Sequence, residues 1–231
     1  AIKLLPENLP ARVRLFDLAF MERNSEQMIE AEQMILELVK DENDGNYILS
    51  KVRRLMWEYT QQKVLREELA ASRKLLDNAL KRRPEWAELH ILYGQLLLVL
   101  EEDQDLALQH LQDALKYGPP NPNALALQVR LLGQRGQMKE ARDQMELIPD
   151  AQRLQLLGRS QAEVLLQTGS KDEAFEVAQQ IADQEAENAV TQVWFARVAN
   201  DVGKPDAAIA AMKKATQLQP AASASTERII P

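Results

Sequence analysis

The fold class this sequence predicts is an all-α solenoid built from helix pairs, and three observations predict it. Small residues recur at Ser72, Ala107, Ala141, Ala174 and Ala208, with successive spacings of 35, 34, 33 and 34 residues. A period near 34 is that of a helical hairpin whose apolar face is buried only by its neighbours. A second alanine follows the marker by seven residues at Ala79, Ala114 and Ala215, and a proline follows five later at Pro84, Pro119 and Pro220. A glycine precedes the marker by five residues at Gly136, Gly169 and Gly203, where the turn between two helices calls for positive φ.

The elements follow from the punctuation, which predicts about 12 helices over the 231 residues. Leu9-Pro10 opens a helix carrying Val13, Phe16 and Phe20, and a second helix carries Met28, Ile35, Leu38 and Val39 at helical spacing. The run Asp41 to Asn46 breaks the chain. From Tyr47 the stripe Ile48, Val52, Leu55, Met56 and Tyr59 predicts a long helix that meets no Gly or Pro until Pro84, with a bend near Gln61-Gln62. Further boundaries fall at Glu101 to Asp103, Gly118 to Asn121, Gly136, Pro149-Asp150, Gly169, Glu187-Asn188, Gly203 to Pro205 and Pro220. Asp103, Asp105 and Asp206 are expected to cap the helices beside them. Lys51, Arg53 and Arg54 are expected on a solvated face. Lys81, Arg82 and Arg83 sit where cations favour a helix C-terminus, and Trp57, Trp86 and Trp194 are expected to pack between helices.

With small residues also at Ala196, Ala162 and, close to the equivalent place, Gly94, the pattern resembles the tetratricopeptide repeat. Ala196, Gly203, Ala208, Met212, Ala215 and Pro220 match every place of that motif in the last unit, and Gly94, Ala107, Leu111, Ala114 and Pro119 match in the unit from Trp86 to Pro119. Two units are weaker: Pro149 cuts the second helix of the third short, and the fourth has Ile181 and Ala186 where the motif has alanine and proline. The resemblance implies a right-handed α-α superhelix, with a degenerate helix pair over 1–45, about five repeat pairs over 46–220, and a mobile tail over 221–231.

Composition excludes several classes of function. The net charge is −7, which disfavours a phosphate-binding surface and hence nucleic acid as a partner. The chain has no cysteine, so it has neither disulfides nor thiolate chemistry. The longest uncharged apolar stretch, His90 to Leu100, falls short of the roughly 20 residues of a membrane-crossing helix. The expectation is a soluble chain of open compartment, and its start, without methionine, reads as a fragment. His90 and His110 are the only histidines, and neither has a second imidazole at i+3 or i+4, so no metal site is expected. Asp41 to Asn46 lacks the ligand spacing of a calcium loop. No nucleophile paired with a base, phosphate loop or dinucleotide fingerprint occurs, so no catalytic residue, cofactor or enzyme activity is expected.

What remains is a surface for a protein or peptide. The resemblance implies that the first helix of each pair lines a concave groove. By register its inward residues are Glu88, Ile91 and Gln95, then Asn123 and Arg130, then Arg159 and Glu163, then Val193, Arg197 and Asn200. Three arginines on one wall suit carboxylate recognition. The lysine and asparagine constellation with which related co-chaperones grip chaperone tails is unmatched, because Ile91, Ala126 and Val193 stand in its polar places. The expected function is a non-enzymatic interaction scaffold. Alternatives are a regulatory or targeting arm of a larger multidomain protein, or a structural solenoid self-associating through its end helices.

Overall fold

The computed structural model describes residues 8–218 and contains 13 α-helices, with no strand among the described residues. The expected tail over 221–231 and the motif's closing Pro220 lie outside the described residues. Contacts divide the chain into two compact units, Ala1–Pro120 and Asn121–Pro231.

The first unit holds α1 (Leu9–Met21), α2 (Ser25–Val39), α3 (Gly45–Thr60), α4 (Arg66–Arg82), α5 (Ala87–Val99) and α6 (Gln104–Tyr117). They pack as the hairpins α1–α2, α3–α4 and α5–α6, with α3 also against α2 and α5. The second unit holds α7 (Pro122–Gln134), α8 (Met138–Glu146), α9 (Asp150–Leu157), α10 (Arg159–Gln167), α11 (Lys171–Gln184), α12 (Ala189–Asp201) and α13 (Pro205–Leu218). Here the hairpins are α7–α8, α10–α11 and α12–α13, with α9 against α7 and α10.

The small-residue beat has a physical cause. Ser72, Ala107, Ala141, Ala174 and Ala208 are all buried, and each lies on the second helix of a pair, packed against the first. Gly94 shows how tight this contact is: a Cβ there would stand 2.8 Å from Leu111 Cγ and 3.1 Å from the Ala107 carbonyl oxygen. Gly136, Gly169 and Gly203 adopt the positive φ that their turns require, at 73°, 88° and 82°.

Several local expectations need correction. The helix expected from Tyr47 to Pro84 is two helices, because the chain reverses at the anticipated Gln61-Gln62 site: Gln62 takes φ 58° and the Lys63 amide donates back to the Glu58 carbonyl at 2.9 Å. The first helix of the fourth repeat is also split, into α9 and α10, at Gly158 with φ 52° and ψ −126°, a conformation a Cβ would obstruct. Asp103 does cap α6, accepting from the Asp105 and Leu106 amides at 3.0 and 2.9 Å. Asp105 and Asp206 instead sit inside the first turns of α6 and α13, where their charge favours the helix dipole.

Arg53 and Arg54 are not on a solvated face, because α1 and α2 cover it. Arg53 bonds Asp17 at 2.8 Å and lies over the Phe20 ring at 4.6 Å. Arg54 bridges Glu32 of α2 at 2.7 Å and Glu58 at 2.6 Å, and both carboxylates are only 8% exposed. Burial disfavours the guanidinium charge, yet bonds to the two carboxylates outweigh it and raise the Arg54 pKa.

Candidate functional site

All ten residues assigned to the groove lie on first helices of their pairs. Glu88, Ile91 and Gln95 are on α5; Asn123 and Arg130 on α7; Arg159 and Glu163 on α10; Val193, Arg197 and Asn200 on α12. Seven of them therefore belong to the second unit. Spacing explains why they share an aspect of each helix. Asn123 and Arg130 are seven apart, as are Val193 and Asn200, while Arg159 and Glu163 are four apart, so each set lies along one side. The residues between them, such as Ala124, Val129, Ala162, Ala196 and Ala199, are buried.

Side chains along this side link one repeat to the next. Arg130 of α7 donates to the Leu156 carbonyl at the end of α9. Arg159 of α10 donates to Thr191 Oγ1 of α12 at 2.7 Å, lies 3.7 Å from Glu185, and stacks 5.0 Å over the Trp194 ring. Arg197 of α12 stands 3.6 Å from Glu163 of α10, both well exposed. Each arginine thus spends part of its donor set on the fold. A guanidinium has five N–H donors, and Arg130 aims one of them at a backbone carbonyl. The Arg197–Glu163 pair is solvent-screened and weak.

A depression of about 340 Å³ lies between α7, the start of α8 and α10. Arg130 and Glu163 stand on its walls with Gln134, Met138 and Ser160, and Gly133 lines it as well. Arg130 and Glu163 are among the residues that register assigns to the groove, and Gly133 is not. That glycine has no positive φ, and a Cβ on it would meet nothing within 4 Å. Neither backbone nor packing explains it, and its effect is to leave the depression open.

Two of the tryptophans, Trp86 and Trp194, behave as packing residues. The Trp86 ring stands against the start of α3, where a Gly45 Cβ would come within 2.1 Å of it. Trp194 backs Arg159 and packs against the alanine-rich cluster of α10–α13.

Sequence spacing failed at the histidines. His90 on α5 and His110 on α6 are not separated: hairpin packing brings their Nδ1 atoms to 2.9 Å. The reason is topological, since residues 20 apart face each other across a hairpin although no helix periodicity joins them. Asp113, one turn beyond His110, completes a set whose potential ligand atoms lie within 4.8 Å of one another. Burial, then the neighbouring His90, lowers the His110 pKa from 6.5 to about 4. The Tyr93 ring stacks on His110 at 4.2 Å and its hydroxyl donates to Asp77 at 2.8 Å. No helix among the described residues is long and apolar enough to cross a membrane.

Neither a family model nor a curated protein matches the chain by sequence. Solved structures match it in fold. The structure of YrrB, a TPR protein with an unusual peptide-binding site, matches with a TM-score of 0.64 at 17% identity, over 85% of this chain and 96% of that one. That of PilF from Pseudomonas aeruginosa matches with a TM-score of 0.68 at 17% identity, over 95% of this chain and 97% of that one. At such identity likeness speaks to architecture, and with the alanine beat, the glycine turns and the paired helices it establishes that this chain has the tetratricopeptide-repeat fold.

Proposed function

We propose that the chain is a non-enzymatic scaffold that holds a peptide or helix of a protein partner along the first-helix side of its second unit. The observation that carries this reading is the Gly133 depression, an open site of about 340 Å³ with Arg130 and Glu163 on its walls. The ligand that fits is a short extended segment bearing a carboxylate, either acidic or C-terminal. Arg130 and Arg197 supply orientation and on-rate, and apolar contact supplies the rest: Met138 in the depression and Val193, 47% exposed, beside Arg197. The peptide-binding site of YrrB lends support by analogy of fold.

Selection from a displayed random peptide library with free C-termini tests the reading. The expected result is enrichment of sequences with a carboxylate beside an apolar residue, whose binding weakens in Arg130→Glu/Arg159→Glu/Arg197→Glu and weakens more at low salt than at high salt. Failure to enrich any sequence, or enriched peptides that bind the triple variant with unchanged affinity and salt dependence, contradicts it.

A further inference from the structure

We propose that His90, His110 and Asp113 form a binding site for a divalent transition metal ion of the Zn²⁺ class, clamping α5 to α6. The chemistry of the donors selects the ion. Two imidazole nitrogens and one carboxylate suit borderline-soft ions, whereas Ca²⁺ and Mg²⁺ prefer all-oxygen sets. Three protein ligands leave one position of a tetrahedral ion for water or a further group.

The geometry is close to that required. The two Nδ1 atoms are 2.9 Å apart, and ligands held about 2.0–2.1 Å from a tetrahedral ion stand roughly 3.3 Å from each other. Opening the pair by a few tenths of an ångström, through small rotations about the side-chain torsions, admits the ion. Asp113 is on the same side of α6 as His110, three residues on, with its carboxylate within 4.8 Å of the imidazole nitrogens, so a side-chain rotation that closes this gap by up to about 1.5 Å completes the set.

His90 is already set as a ligand. Its Nε2 lies 2.8 Å from the Pro84 carbonyl oxygen, which can only accept, so the proton is on Nε2 and Nδ1 presents its lone pair. A ring nitrogen donating to a backbone carbonyl is the arrangement that fixes tautomer and orientation in metal-bound histidines. In the neutral metal-free pair His110 then donates from Nδ1 to His90. Metal entry moves the His110 proton from Nδ1 to Nε2, with no net proton released. Tyr93 against His110 and Tyr117 against His90, with ring centroids 4.2 and 5.6 Å apart, wall the pair and restrict solvent.

The composition makes the test clean, since the chain has two histidines and no cysteine. Protein without a polyhistidine tag is stripped with chelator and titrated with Zn²⁺ against a chromophoric competitor. The expected result is one equivalent bound, with both imidazole Nδ1 resonances shifted in long-range ¹H–¹⁵N spectra and a Co²⁺ form showing the intense visible bands of a four-coordinate ion. His110→Gln should weaken binding at least about a hundredfold and Asp113→Asn about tenfold. Both variants change half-buried positions and are checked for unchanged circular dichroism, so the test does not depend on replacing the buried His90. Absence of binding at about 100 μM Zn²⁺, unshifted Nδ1 resonances at saturation, or stoichiometry and affinity unchanged in His110→Gln each overturn the proposal.

Discussion

Helices α12 and α13 meet through alanines, whereas α2 and α3 meet across charges. In the last hairpin Ala196 and Ala199 face Ala208 and Ala211 in one apolar cluster with Phe195 and Val198. At the α2–α3 junction between the first two hairpins, Arg54 lies between Glu32 and Glu58, with Ser25 donating to Glu58, and all three charged side chains are 14% exposed or less. Alanine contacts tolerate repetition because they need only a small residue at a fixed period. A buried charge cluster needs particular partners with satisfied hydrogen bonds, and it cannot be copied from one repeat to the next by keeping size alone. The difference teaches where the repeat rule ends: the degenerate first pair is joined to the next by a specific polar contact, whereas the regular last hairpin closes on alanines.

The largest expected effect breaks the polar contact. Arg54→Ala leaves two carboxylates buried without their cation and should destabilise by about 3–5 kcal/mol in chemical denaturation. Replacing all three members, as Glu32→Leu/Arg54→Met/Glu58→Leu, should recover most of that loss, because well-packed apolar side chains often match a buried ion cluster. A triple variant as unstable as the single would show that the contact depends on shape and not on charge pairing. Next, Ala208→Leu should overpack the α12–α13 contact and cost about 1–3 kcal/mol in thermal melts. An unchanged melt would mean that this contact is looser than its burial indicates. Asp103→Ala removes the cap of α6 and should cost about 1 kcal/mol. Glu163→Ala, which frees the exposed Arg197, should change stability by less than about 0.5 kcal/mol, because both partners are solvated.

How far the sequence could be read follows the same division. The alanine markers, glycine turns and proline stops located the regular hairpins because each is a local steric requirement repeated at one period. Arg130 and Glu163, which register assigns to the first helices of successive units, both border one depression. Arg54 was misplaced because its partner Glu32 is 22 residues away on a helix with no repeat signature, so nothing marked that side of α3 as covered. The spacing of His90 and His110 offers no shared site because their meeting depends on how two helices rotate in a hairpin, which periodicity within one helix does not report. Gly158 and Gly133 were visible as letters, yet one breaks a helix and the other opens a depression, and only backbone angles and neighbouring atoms tell these roles apart.

The central functional claim is that a ligand segment occupies the Gly133 depression, and Gly133→Leu tests it most directly. The substitution adds bulk where no atom lies within 4 Å and replaces a poor helix former with a good one, so the fold should be unharmed or slightly stabilised, by up to about 1 kcal/mol. Calorimetric titration of a library-selected peptide into this variant should then show affinity reduced at least about tenfold with the melting temperature held or raised. A peptide that binds Gly133→Leu as tightly as the parent chain, with the fold intact, would show that the ligand sits elsewhere and contradict the claim.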